Sequence, residues 1–182
     1  MKAEAGDNEL SRQFEILVCT RENVFTGIIR CEYGQRLIDA LNEGVPVGAS
    51  SRGVDFLALE DVKLRDMEGA EEDYPRLYIA KHNIIFIAQH ERDKAEKPLS
   101  AYPYRQKVPV KVKIYESPFL ITGQVYSDTW EQLADTIEAR VNFMPLTNVD
   151  IIPALPGGYA HFEFAAINKQ NVTYLSENLP QS

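Results

Sequence analysis

The chain repeats its own sequence pattern, and this feature constrains the fold more than any other. When the numbering is shifted by 96, residues 14–44 align with residues 110–140 without a gap. After an insertion at residues 45–53 the alignment resumes at a shift of 87 and ends at a shift of 88. Eleven positions are identical in the two copies, and in the first copy they are Thr26, Gly27, Leu37, Asp39, Val54, Phe56, Leu59, Val62, Ile79, Lys81 and Asn83. Such a repeat predicts that the chain forms the same small unit twice.

Hydrophobic periodicity predicts the same order of elements in each copy: two strands, a short helix and three more strands. Alternating apolar residues, typical of a half-buried strand, are Val108, Val110, Val112 and Ile114. Apolar residues spaced for one helix face are Trp130, Leu133, Ala134 and Ile137. We expect strands at 14–20, 24–31, 56–64, 76–80, 84–89, 108–115, 120–126, 143–152, 159–168 and 172–175. We expect helices at 35–42 and 129–139, and tight hairpin turns at 81–83 and 169–171.

This pattern predicts a β-rich α+β fold with two tandem units. The first repeat covers residues 12–90, a charged linker with two prolines covers 91–107, and the second repeat covers 108–176. Each unit is close to the lower size limit for a self-sufficient hydrophobic core. We therefore expect the units to pack on each other, with a pseudo-twofold relation as the simplest arrangement.

Two stretches of the first copy carry a resemblance to known proteins. Residues 36–42 read RLIDALN, and residues 56–62 read FLALEDV. The pattern RLxDxLN followed by FLxLxDV resembles uncharacterised bacterial proteins, and this resemblance implies a bacterial, cytoplasmic setting without a known activity. The element order is also similar to the Sm-like and SH3-like small β-barrels, although an Sm-like unit places its helix first. The Sm RNA-binding signature is missing, so the resemblance does not imply an RNA function.

Composition excludes several classes of protein. Nineteen Lys and Arg residues stand against 27 Asp and Glu residues, and the net charge of -8 disfavours a general nucleic-acid binder. No run of 18 apolar residues predicts a membrane-spanning helix. The first ten residues are polar and acidic, unlike a secretory signal.

Cys19 and Cys31 do not have zinc-site spacing. We interpret them as small buried residues in a reducing compartment, with a disulfide as the alternative.

The sequence does not present a catalytic constellation. The three histidines do not recur in the two copies, and the Gly-Gly turn at 157–158 lacks the spacing of a phosphate-binding loop. We expect the acidic segment 68–73 to form a solvated hairpin tip, with a weak cation site as the alternative. These observations predict a protein that is not an enzyme and that uses neither a metal nor a cofactor.

Four residues are singled out because they recur in both copies. Gly27 and Gly123 lie inside predicted strands, where a glycine indicates a bulge or a close approach of backbone. Asp39 and Asp135 occupy equivalent places in the predicted helices. We interpret these carboxylates as structural hydrogen-bonding groups. The alternative is a paired carboxylate site between the repeats.

A basic stripe provides the candidate binding residues. Arg105, Lys107, Lys111 and Lys113 precede or lie on one predicted strand, and Tyr115 follows them. Arg52 lies in the insertion at 45–53, a candidate recognition loop. Aromatic and cationic residues together are typical of single-strand nucleic-acid binding, and cationic residues alone also suit an acidic protein partner.

These observations predict a non-enzymatic protein-binding, assembly or scaffold module. The partner is another protein or a second copy of the chain, bound at an exposed strand edge or in the groove between repeats. A small-ligand or nucleic-acid-binding regulatory module is the first alternative. An enzyme with a site at the repeat interface is the second alternative.

Overall fold

The fold was analysed in a computed structural model of the chain, which describes residues 11–43, 46–47, 51–52, 55–89, 107–128, 133–138 and 140–177. These residues are mostly β-strand. Ten strands form one antiparallel sheet that is not closed, and two short strands form a separate hairpin within the insertion. The prediction of a β-rich fold is therefore confirmed, whereas closed barrels are not found among the described residues.

The first half of the chain contains seven strands and one helix. They are β1 (Ser11–Thr20), β2 (Asn23–Glu32), α1 (Leu37–Glu43), β3 (Pro46–Val47), β4 (Ser51–Arg52), β5 (Phe56–Asp66), β6 (Glu71–Ala80) and β7 (Ile84–Gln89). The second half contains β8 (Lys107–Glu116), β9 (Phe119–Asp128), α2 (Leu133–Glu138), β10 (Phe143–Leu155), β11 (Tyr159–Asn168) and β12 (Tyr174–Glu177). Short 3-10 helices at Lys81–Asn83 and Lys169–Asn171 stand where tight hairpin turns were predicted.

The sheet has the strand order β12-β8-β9-β10-β11-β7-β1-β2-β5-β6. The pairing of β11 with β7, which we call the central junction, is the only ladder between the two halves among the described strands. In the sequence alignment β11 corresponds to β6, and β7 corresponds to β12. A twofold relation pairs equivalent strands, so the expectation of a pseudo-twofold is wrong.

Two hydrophobic clusters form the core, and each draws residues from both halves. The first-half cluster surrounds Leu59 and includes Phe143 of β10. The second-half cluster surrounds Leu146 and includes Phe86 of β7, whose ring meets that of Phe119 edge-to-face at 5.7 Å. Burial of one such phenylalanine stabilises the fold by about 1.5–3 kcal/mol. The shared clusters explain why the halves form a continuous sheet.

Some predicted boundaries differ from the structure. The helix α1 begins at Leu37, later than predicted. Helix α2 is described from Leu133, and residues 129–132, where its predicted start falls, lie outside the described part of the chain. Strand β6 begins at Glu71, so the acidic residues 71–73 lie in a strand rather than at a hairpin tip. The described helices are all too short to cross a membrane.

Candidate functional site

The outer edge of β6 is one of the two edges of the described sheet. Strand β6 pairs with β5 on one side, and no described strand pairs with its other side. Tyr74 and Tyr78 project from β6, and 61% of Tyr78 is exposed. Phe56 lies opposite the end of β6 and is 54% exposed. A groove of about 640 Å³ runs beside Phe56 and Tyr78 and reaches Asn83. Aromatic side chains therefore border an unpaired backbone edge.

The opposite edge of the sheet is β12. Strand β12 pairs with β8, and no described strand pairs with its other side. Tyr174 stacks on Tyr115 at 5.4 Å between ring centroids, with an interplanar angle of 18°. Leu175 is partly buried and packs against the second-half cluster. This edge is shorter than β6 and also carries a large apolar side chain.

The central junction provides a built example of strand pairing between the halves. Its ladder has four residue pairs, and they are Phe164–Gln89, Ala165–Ala88, Ala166–Ile87 and Ile167–Phe86. Two amide side chains extend it beyond the ladder. Asn168 donates hydrogen bonds to the carbonyls of Lys81 and Ile84 at 3.2 and 2.9 Å. Asn171 donates a hydrogen bond to the same Ile84 carbonyl at 2.9 Å.

Helix α1 completes the contact between the halves at the start of β10. The Asn42 amide donates to the Phe143 carbonyl at 3.1 Å, and its oxygen accepts from the Phe143 backbone N–H at 2.9 Å. Phe143 is 1% exposed and belongs to the first-half cluster. The helix of one half therefore covers a phenylalanine of the other half.

The predicted basic stripe is only partly described. Lys107 and Lys111 lie in β8, and Arg52 lies in β4, but their side chains are outside the described part of the structure, as is the whole of Arg105. Lys113 is partly exposed on β8. Tyr115 lies two residues further along the strand, and one face of its ring is covered by Tyr174.

The recurring glycines lie where neighbouring strands approach closely. A Cβ atom at Gly27 would be 3.0 Å from the Glu60 carbonyl oxygen. A Cβ atom at Gly123 would be 2.9 Å from the Leu146 side chain and 3.2 Å from the Thr147 carbonyl oxygen. Both glycines therefore meet a backbone requirement of the sheet.

The recurring aspartates lie in the first turns of α1 and α2. Both carboxylate oxygens of Asp39 accept hydrogen bonds from Arg36, at 2.7 and 2.8 Å. Asp135 is exposed on α2. The Arg36–Asp39 contact is an exposed pair between the residue before α1 and the first turn of that helix, and exposed i,i+3 pairs of this kind contribute only a few tenths of a kcal/mol.

Groups with chemical reactivity are scattered. His161 lies 2.9 Å from Asp150, and both side chains are exposed. Cys19 and Cys31 are buried and do not form a disulfide, and burial together with the charge of Glu116 raises the pKa of Cys19. Among the described residues, no three histidine, cysteine, aspartate or glutamate side chains are grouped for a metal ion.

Glu116 at the end of β8 is a buried carboxyl that the sequence analysis missed. It is 1% exposed, and neither of its carboxyl oxygens has a hydrogen-bond partner among the described residues. Burial raises the pKa of Glu116 to about 9, so the group is mainly protonated at neutral pH. The signal was present in the sequence, because Glu116 continues the inward-facing series of Val112 and Ile114.

Comparisons with known proteins do not assign the chain to a group. No protein-family model matches the sequence. No curated protein and no solved structure matches it either.

Proposed function

We propose that the chain is a tandem duplication that acts as a non-enzymatic assembly module and self-associates through the edge of β6. The observation that carries this proposal is the unpaired outer edge of β6, bordered by the exposed rings of Tyr78 and Phe56. An extended strand that joins such an edge gains backbone hydrogen bonds, and side-chain contacts supply specificity.

Corresponding element bounds support the duplication. Adding 96 to the bounds of β1 and β2 gives the bounds of β8 and β9. Adding 88 to the bounds of β6 gives those of β11. Each half also follows one strand order, which is β7-β1-β2-β5-β6 in the first and β12-β8-β9-β10-β11 in the second.

Local details recur at the same aligned positions. Asp61 and Asn148 both adopt a left-handed backbone with φ 50°. The amine of Lys81 donates to a carbonyl in the last turn of α1, and the amine of Lys169 does the same for α2, both at 2.9 Å. The recurring lysine therefore satisfies a helix-end carbonyl that lacks an intrahelical partner. Two unrelated lobes do not require these same contacts.

The duplication defines the units that we propose. They are residues 12–90 and 108–176, joined by 91–107, most of which lies outside the described structure. The similarity to Sm-like and SH3-like small barrels and the bacterial cytoplasmic setting remain part of the proposal.

The composition of β6 indicates which part of its edge binds. Exposed strand edges invite aggregation, and proteins protect them with charges and prolines. In β6 the acidic residues 71–73 and Pro75 protect the first half of the strand. Residues 77–80, which follow Arg76, contain Leu77, Tyr78 and Ile79 and lack charges and prolines. The binding segment is therefore the second half of β6.

Light scattering across a micromolar concentration series tests self-association. We expect the wild-type mass to rise above that of the monomer, and we expect Tyr78→Lys to weaken association about tenfold because the new charge lies at the edge. Tyr33→Lys is the matched control, since Tyr33 is 79% exposed but lies away from both sheet edges. A folded wild-type chain that remains monomeric throughout overturns the proposal.

A further inference from the structure

We propose that the strand which pairs with β6 is β12 of a second copy of this chain, in a head-to-tail arrangement. This inference rests on the proposed self-association and names the surface that β6 recognises. The residue pairs across the interface are Arg76–Glu177, Leu77–Ser176, Tyr78–Leu175 and Ile79–Tyr174.

The central junction supplies the register. Strand β11 aligns with β6, and β7 aligns with β12, both at a difference of 88 in residue number. Subtracting 88 from Phe164 gives Arg76, and adding 88 to Gln89 gives Glu177. The other three pairs of the junction transfer in the same way. The central junction is therefore an intramolecular version of the contact that β6 of one chain forms with β12 of the next chain.

The chemistry of the transferred pairs is complementary. Arg76 and Glu177 are both exposed, and opposite charges that face each other across strands stabilise a sheet. Ile79 belongs to the first-half cluster and meets Tyr174, whereas Leu175 packs on the second-half cluster and meets Tyr78. The transferred ladder ends at Arg76, so Pro75, which lacks an N–H donor, lies outside it.

Equivalent residues differ in burial where a second copy is expected. Phe143 is 1% exposed because α1 lies over it, whereas its counterpart Phe56 is 54% exposed. Ala166 is fully buried in the central junction, whereas its counterpart Tyr78 is 61% exposed. Within one chain α1 lies over Phe143. In the head-to-tail arrangement α2 of the second copy lies over Phe56 of the first copy in the same way.

A recurring asparagine supports the same placement. Asn171 bonds to the carbonyls of His82 and Ile84 across the central junction. Its counterpart Asn83 is exposed, and its side chain does not bond to any described residue. In the head-to-tail arrangement Asn83 faces the carbonyls of Gln170 and Val172 in the second copy. The identity of Asn83 and Asn171 thus follows from a shared role at two junctions.

The arrangement makes assembly continue beyond two chains. Strand β6 of each copy pairs with β12 of the next, so an open assembly of any length still presents one unpaired β6 edge and one unpaired β12 edge. Such heterologous contacts close into a ring if the rotation permits and otherwise extend into a filament. A β6-to-β6 contact instead saturates at a dimer.

Cysteine pairs distinguish these arrangements. Leu77→Cys chains are mixed with Ser176→Cys chains under mild oxidation, and Arg76→Cys chains with Glu177→Cys chains. Two neighbouring pairs are used because residues directly opposite each other alternate in hydrogen bonding and separation. We expect a disulfide-linked dimer in at least one mixture and none from any single variant. Native Cys19 and Cys31 are buried, so the wild-type chain is the background control.

Charge reversal provides an independent measurement. Arg76→Glu and Glu177→Arg are each expected to weaken association about fivefold, and the double variant is expected to restore it. Arg30→Glu is the matched control for Arg76, because both arginines pair with Glu60 but Arg30 lies on the internal strand β2. Association without a cross-link in either mixture, or cross-linking of Leu77→Cys alone, overturns the head-to-tail inference. A monomeric wild-type chain instead overturns the proposed self-association itself.

Discussion

Replacing Glu116 by glutamine tests whether one unpartnered carboxyl makes the fold less stable as the pH rises. In the unfolded chain this group ionises near its ordinary value of 4.5, whereas burial raises the pKa of Glu116 in the folded chain to about 9. Between these values the folded chain holds one proton more than the unfolded chain. The stability associated with the protonated group is therefore complete below pH 4.5 and is lost progressively up to about pH 9.

The pKa difference sets the expected size of this effect. Each pH unit between the two pKa values lowers the free energy of unfolding by about 1.4 kcal/mol. At pH 7 the loss attributable to Glu116 amounts to about 3 kcal/mol, and it approaches 6 kcal/mol at pH 9. A glutamine has the same shape and cannot ionise. We therefore expect Glu116→Gln to stabilise the fold at pH 7 and to have little effect at pH 4.5.

Urea unfolding followed by circular dichroism at intervals from pH 4.5 to 9 measures this slope. Glu15→Gln is the control, because Glu15 is an exposed glutamate on strand β1. Glu116→Thr is a second informative variant, since Thr20 at the aligned position bonds to both the N–H and the carbonyl of Asn23. If wild type and Glu116→Gln lose stability in parallel over this range, the burial argument for Glu116 is refuted.

Two further substitutions test contacts that hold the sheet together. Asn42→Ala removes both hydrogen bonds to Phe143 and is expected to lower the free energy of unfolding by about 1–3 kcal/mol, and an unchanged denaturation midpoint would contradict a structural role for Asn42. Gly123→Ala places a Cβ atom 2.9 Å from the Leu146 side chain and is expected to cost about 1–3 kcal/mol, measured as a lower melting temperature. An unchanged melting temperature for Gly123→Ala would argue against crowding at Gly123.

Sequence periodicity predicted most strands because their burial alternates along the chain. Strand β11 was predicted with its observed bounds, 159–168, since one of its ends joins a clear turn and the other a polar segment. Strand β6 was predicted five residues too short. Its residues 71–76 are all exposed, so the alternation that marks a half-buried strand is absent there. An edge strand is therefore the kind of strand that periodicity detects least well.

Sequence patterns did not predict how the two halves pair, for a different reason. The central junction pairs residues such as Ile87 and Ala166, which are far apart in the chain. The local sequence around each residue does not indicate which strand it pairs with. The paired segments of both strands are buried on their two faces, and an apolar run of this kind fits many neighbours. Glu116 does not belong to a recognisable motif and does not recur in the other copy, and its unusual property comes from its burial.

The two junctions of the proposed assembly differ in a way that fits their separate roles. In the proposed duplication two units are fused, so the strands of the central junction meet at a high effective concentration. It is also fully apolar at its centre, where Ala166 meets Ile87. The corresponding contact between copies has a tyrosine beside Leu175 and a charged pair, Arg76–Glu177, at one end. A junction of this composition is weaker and more sensitive to salt. On this argument the duplicated chain is the permanent building block, and the contact between copies is the reversible step, so added salt should shorten the assemblies without separating β11 from β7.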